Sequence, residues 1–346
     1  MQYQTLPQID EKVSKICLGT MTWGQQNTQD DAHAQMDMAL SEGVNFWDTA
    51  EMYPSPPDKD KQGDTERFMG TWFSKTKQRD KVILASKMSP MSFLRDGKSR
   101  YTAEHISAAI DDNLQRLQTD YIDIYQLHWP ERQANFFGQR GYNENMAAQP
   151  LEDLTPFLET IKALNDEIKK GRIRAYGLSN DTAWGLMRYL WEADKSGLIA
   201  PITVQNPYSL LNRLYEVNMA EISHRENVGL LAYSPLGFGV LSGKYLDGKR
   251  PEGARLTKYD RFERYVNEQA KSATEQYAKI AAEAGLDMAQ MSLAFVNSRS
   301  FVTSNIIGAT NTEQLKSNID SIDLTLDSDV LDAIEAIHTR QPNPSP

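Results

Sequence analysis

Eight short apolar runs, each followed by a stretch whose apolar residues recur at helical spacing, set the pattern of this chain. The first, Ile16-Cys17-Leu18, ends at Gly19-Thr20-Met21-Thr22-Trp23-Gly24; Asp30 to Glu42 then places Ala34, Met38 and Leu40 on a helical repeat that Gly43 stops. That reads as strand, loop, helix. The unit recurs as Val44–Trp47 with a helix near 66–75, Val82–Ala85 with one near 103–117, and Tyr121–Leu127 with one near 154–170. Four more follow: Ile173–Leu178 with 183–194, Ile202–Gln205 with 215–225, Val228–Ala232 with 270–284, and Val302–Ile307 with 312–319. Asp327–Ile337 reads as one more amphipathic helix, and the Pro-rich end from Pro342 is expected to be loose.

Short apolar strands alternating with helices predict a parallel sheet, because parallel neighbours need a crossover and a helix is the usual one. Eight such units suit a closed α/β architecture, a (β/α)8 TIM barrel forming one domain over residues 1–346. An open doubly wound sheet is the rival, but it normally carries a Gly-x-Gly-x-x-Gly turn after an early strand, and none is present here. Three connections are too long for plain turns: Pro54–Asp64, Glu131–Pro150 and Gly237 to about Asn267. All follow the C-terminal end of a run, the face where such barrels build their sites.

Several runs end abruptly in polar residues. The second closes on Asp48 with Tyr53 five positions later, the third on Lys87 and the fourth on His128. Singly, Asp48 and Lys87 read as a structural ion pair, Tyr53 as a loop aromatic and His128 as a core histidine. As a set at one sheet end, they leave buried charge unsatisfied unless they share a cleft.

A net charge of −10 supplies no basic face, which argues against nucleic acid or an anionic membrane as partner and leaves a small molecule as the expected ligand. One cysteine, Cys17, allows no internal disulfide and suits a reducing compartment. The N-terminus has no basic and apolar export signal, and no apolar run nears the roughly 18 residues of a membrane helix, so a soluble cytoplasmic protein is expected. His33, His105, His128, His224 and His338 are scattered without ligand spacing, so no metal is expected.

The ordered set Asp48, Tyr53, Lys87, His128, with its D-x-x-x-x-Y spacing, resembles the catalytic tetrad of the aldo-keto reductase superfamily. The Gly-Thr-Met-Thr-Trp-Gly start, the His128-Trp129-Pro130 triplet and the insertion after it resemble most closely the branch of Tas-like proteins and potassium-channel β subunits. The resemblance runs from about Val13 to Ile337. It implies reduction of an aldehyde or ketone by hydride from NADPH, with Tyr53 as proton donor, Lys87 lowering the phenol's pKa, Asp48 holding Lys87, and His128 orienting the carbonyl as a neutral imidazole.

It further implies a cofactor site. Thr20, Met21 and Asp48 would contribute at the first two runs. Ser179, Asn180 and Gln205 would bind the nicotinamide carboxamide, and Tyr233 would stack on the ring. Ser234, Pro235, Leu236, Gly237, Gly239, Leu241, Ser242, Gly243 and Lys244 would wrap the pyrophosphate, joined by Arg255. Gly308, Thr310, Gln314 and Asn318 would face the adenosine. Gly308 and Gln314 stand where many relatives carry Lys and Arg for the 2′-phosphate, a departure shared by the NADP-binding channel β branch; Lys244, Arg255 and Arg261 would supply positive charge instead. Read without the family, Asn180 is available as a helix N-cap, Gln205 and Asn206 as turn formers before Pro207, and Tyr233 as a core residue, although all lie at the same strand end as the tetrad.

Trp23, Tyr53, His128 and Trp129 are the candidate substrate contacts, with Phe136, Phe137 and Tyr142 of the insertion offering aromatic surface that serves equally as lid or packing. They suggest an apolar or aromatic carbonyl compound. A second reading, implied by the channel subunits, is an NADP-binding redox sensor or accessory subunit with slow chemistry.

Overall fold

The computed structural model describes residues 1–345 except 91–96, 140, 142–143, 145, 147–148, 260–261 and 263, so Tyr142 and Arg261 lie outside the described residues. Two short antiparallel strands, β1 (Tyr3–Thr5) and β2 (Lys12–Ser14), precede eight parallel ones. These are β3 (Ile16–Gly19), β4 (Phe46–Asp48), β5 (Ile83–Met88), β6 (Ile122–Leu127), β7 (Ile173–Ser179), β8 (Thr203–Pro207), β9 (Gly229–Tyr233) and β10 (Val302–Ile307). They pair in chain order, and β10 returns to β3, closing the barrel the sequence pattern predicts.

Side-chain alternation divides the core in two. Cys17, Phe46, Ile83, Ala85, Ile124, Ala175, Ile202, Leu231 and Ile306 fill the barrel, whereas Leu18, Trp47, Leu84, Tyr125 and Tyr176 face the helices. Leu6, Ile9 and Val13, from the hairpin β1–β2 and its turn, join the inner group. They therefore cap the barrel's N-terminal end, and a ligand site is left only the opposite end.

Helices begin where the sequence offers caps. Thr102, Thr182, Asn267 and Asn311 each accept a backbone N–H from the first turn of the helices Ala103–Leu117, Ala183–Ser196, Glu268–Glu283 and Thr312–Asp320. Three features depart from the expectation. The hairpin was not anticipated, because three-residue strands carry too little alternation to register. Nor was the helix Met288–Asn297: eight of its ten residues are buried, so it lacks the polar face that makes a helical period visible. The C-terminus is docked rather than loose. Ser345 is fully buried and its N–H donates to the Leu211 carbonyl at 3.0 Å, while Asn343 Oδ1 accepts from the Arg213 N–H at 2.6 Å. Among the described residues no helix is long and apolar enough to cross a membrane.

Candidate active site

The same alternation that packs the barrel decides which polar groups crown it. Two residues beyond inward-facing Phe46 lies Asp48; two beyond Ala85 lies Lys87; two beyond Ile124 lies Gln126. Parallel register sets Lys87 beside Gln126. A polar layer results above the apolar one. Asp48 Oδ2 accepts from Lys87 Nζ at 2.6 Å, and Asp48 Oδ1 accepts from Gln126 Nε2 at 3.0 Å and Gln205 Nε2 at 2.8 Å. Lys87 is fully buried and Asp48 is 2 % exposed, so the pair is shielded from screening by solvent.

Lys87 spends its three donors on Asp48, on the Thr49 carbonyl at 2.8 Å and on the Tyr53 hydroxyl at 3.5 Å. Burial alone would lower the Lys87 pKa, but the charge of Asp48, with help from Tyr53, overrides it and raises the pKa, so the ammonium persists. Tyr53 departs from the expectation of a lowered pKa. Burial pushes the phenol up, and Lys87 offsets this only in part because Asp48 opposes it. Tyr53 is thus held as a protonated phenol, a loaded donor rather than a phenolate. His128 is driven well below its ordinary value by burial and then by Lys87, and it stands as neutral imidazole, edge-on to the Tyr53 ring at 5.8 Å.

Two residues not anticipated from the sequence hold this arrangement. Ser89 Oγ lies 3.1 Å from His128 Nδ1, and buried Glu51 accepts the Ser89 N–H at 2.7 Å. Glu51 sits between Asp48 and Tyr53, so one loop positions the phenol and, through Ser89, the imidazole. Gln126 was missed as well, although its place on the inward period of β6 was available from the strand pattern.

Over this layer opens a cavity of about 1170 Å³, roomy enough for a dinucleotide and a small molecule together. Tyr53, His128 and Trp129 form one part of its wall; Asn180, Gln205 and Tyr233 form the adjoining part. Asn180 is not a helix cap, since Thr182 takes that role. In a left-handed conformation, φ 55°, it donates to the His128 carbonyl at 2.9 Å and accepts from the Tyr233 hydroxyl at 2.6 Å. Gln205 Nε2 is committed to Asp48 and Gln126.

The long loop after β9 supplies a third wall. Ser234, Pro235, Leu236, Gly239, Ser242, Lys244 and Arg255 line it, and Gly239 adopts φ 91°. A Cβ there would lie 2.7 Å from Lys244 Cε, so glycine admits the lysine stem against the backbone. The Arg255 guanidinium lies over the rings of Phe238 and Phe262 at 5.2 and 5.7 Å. Neither Lys244 nor Arg255 has a carboxylate partner among the described residues, which fits a ligand that brings its own negative charge. Thr20, Met21, Gly308, Thr310, Gln314 and Asn318 complete the wall. Gln314 Oε1 accepts from the Thr310 N–H at 3.1 Å, and Asn318 Nδ2 donates to the Gly308 carbonyl at 3.2 Å.

Not every candidate reaches the cavity. Trp23 is fully buried among helix-facing core residues, its indole N–H bonded to Gln35 Oε1 at 3.3 Å, so it packs rather than contacting ligand. Ser179, Gly237, Leu241 and Gly243 lie off the wall; Ser179 Oγ donates to the Gln205 carbonyl, and Leu241 is core. Of the insertion aromatics, Phe137 reaches the cavity and packs edge-on against Trp129 at 5.8 Å, with Phe136 behind it at 5.1 Å. Phe262, Arg264 and Leu293 line the wall without having been anticipated, Leu293 because its helix was missed. Among the described residues no group of three or more His, Cys, Asp or Glu is arranged to hold a metal.

A closed parallel barrel with a buried lysine–aspartate ion pair, a protonated tyrosine, a neutral histidine and a cleft at its C-terminal end defines a barrel enzyme. The family model "Aldo/keto reductase family" matches residues 15–339, and the chain belongs to this family of oxidoreductases. It is similar to Protein tas of Escherichia coli, 49 % identical with the whole of both chains covered. It is also similar to Uncharacterized oxidoreductase YrpG of Bacillus subtilis, 32 % identical over 96 % of this chain and 94 % of that one. A probable voltage-gated potassium channel subunit beta of Oryza sativa is 29 % identical, covering 99 % and 98 %.

Proposed function

We propose that this chain, acting as a single domain, is an NADPH-dependent carbonyl reductase that converts an aldehyde or ketone to an alcohol. The observation that carries the reading is the buried Lys87–Asp48 pair, 2.6 Å apart, set directly behind the Tyr53 hydroxyl. A reduced nicotinamide bound in the cleft supplies hydride to the carbonyl carbon. Tyr233, Asn180 and the walls contributed by Thr20 and Met21 would hold the nicotinamide end, while Lys244 and Arg255 would meet the phosphates. Tyr53 delivers its phenolic proton to the carbonyl oxygen as negative charge develops there, and Lys87 stabilises the phenolate left behind. Neutral His128 donates a hydrogen bond to the same oxygen, aligned through Ser89.

The test is repeated turnover. NADPH oxidation followed at its absorbance across a library of aldehydes and ketones, 4-nitrobenzaldehyde included, should show many turnovers per protein. A single slow oxidation with the oxidised cofactor retained would favour the sensor reading, as would suit the channel-subunit relatives. No oxidation of NADPH by any carbonyl would remove the reductase assignment.

A further inference from the structure

Near the reacting groups two described cations on the cavity wall, Arg255 and Arg264, lack a carboxylate partner among the described residues. Asp48 and Lys87 neutralise each other, Tyr53 is a phenol, and His128 is an uncharged imidazole. Arg255 is assigned above to the cofactor phosphates, which leaves Arg264. It lines the cavity, is half-buried and has no carboxylate partner among the described residues. Its stem packs against Gly138, where a Cβ would lie 3.0 Å from Arg264 Nε. Gly138 follows Phe137, whose ring meets Trp129, which in turn adjoins His128 at 5.0 Å. The guanidinium also lies beside Tyr265, 5.9 Å from its ring centre, and beside the Tyr233 hydroxyl, whose proton is already given to Asn180. Lys244 sits against Gly239 and Arg255 over Phe238 on the loop wall, with the charge of Arg255 also reaching Tyr53.

We infer that Arg264 is a specificity-determining anion subsite, so that the preferred carbonyl substrate carries a carboxylate opposite its reacting group, across an aromatic or apolar body. This rests on the reductase reading above. A guanidinium that is partly desolvated, with no carboxylate beside it among the described residues, favours an anion, and its planar fork suits a carboxylate in two-point contact. Trp129 and Phe137, between Arg264 and His128, offer faces to a flat linker. The aromatic wall therefore selects the body of the substrate and Arg264 its charged end.

The test compares 4-carboxybenzaldehyde with its methyl ester, nearly the same shape without the charge. The wild-type protein should show a kcat/KM for the carboxylate about 10- to 100-fold above that for the ester, mostly through KM. Arg264→Ala should bring that ratio to about 1, and Arg264→Lys should restore part of it. Because each comparison is a ratio on one protein sample, a folding defect that lowers both rates does not mimic the effect. Equal use of acid and ester by the wild type would overturn the inference while leaving the reductase reading intact. So would an unchanged ratio in Arg264→Ala, or a loss confined to NADPH affinity. Reduction of neither compound, or of any other carbonyl, would count against the reductase reading itself.

Discussion

Replacing Asp48 by Asn removes one charge from the polar layer and little volume. At 2.6 Å, with an effective dielectric of about 20, the attraction lost with Lys87 is about 6 kcal/mol before desolvation is subtracted. Buried pairs broken on one side typically cost about 3–5 kcal/mol, because the remaining charge stays buried alone. Lys87 is fully buried, so Asp48→Asn should fall in that range. Lys87 then relieves itself by shedding its proton, and its raised pKa falls once only Tyr53 is left to oppose burial. Without an ammonium beside Tyr53, proton delivery weakens, and turnover should drop by about 10²- to 10³-fold. Equilibrium urea denaturation and NADPH-linked kinetics measure the two effects. The double variant Asp48→Asn with Lys87→Met removes both charges and should regain at least half of the lost stability while remaining inactive. A stability loss below about 1 kcal/mol, or a double variant less stable than Asp48→Asn, would refute the reasoning.

Other expectations can be checked singly. Arg255→Ala should lower affinity for NADPH by about 10-fold or more, measured by fluorescence titration; an unchanged affinity removes Arg255 from the phosphate site. The pH profile of kcat/KM for a carbonyl should be flat across neutrality. Protonation of His128 requires pH well below 6.5, because its pKa is depressed, and ionisation of Tyr53 requires pH above 10, because its pKa is raised. An acid limb centred at 6.5 would contradict the buried neutral imidazole. Deleting residues 343–346 removes the bonds to Arg213, Asn267 and Leu211 and should cost about 1.5–4 kcal/mol in urea denaturation; a loss below about 0.5 kcal/mol would mean the tail is not anchored as described.

The barrel was legible because each strand is a short apolar run and each helix a separate amphipathic period. The run ends Asp48, Lys87 and His128 announced the polar layer for the same reason. What escaped was whatever lacks a period. The hairpin that caps the barrel is too short to alternate, and the helix Met288–Asn297 is buried nearly all round, so the wall residue Leu293 went with it. Trp23 illustrates the opposite error: it follows a strand end and is aromatic, yet the turn folds it inward onto Gln35. Tyr53 lies beside Lys87, yet its acidity was not legible, since the balance between burial and Lys87 depends on depth, which sequence does not carry. Arg264 is far in sequence from everything it faces, and only the folded loop brings it beside Gly138 and Tyr233.

The central claim is that Tyr53 gives the proton. Tyr53→Phe keeps the ring and removes only the hydroxyl, so the decisive measurement is kcat of this variant with NADPH and 4-nitrobenzaldehyde, alongside its NADPH dissociation constant. A fall of about 10²- to 10⁴-fold in kcat with cofactor affinity held within about 3-fold is predicted. A variant retaining more than about a tenth of the wild-type rate would contradict it.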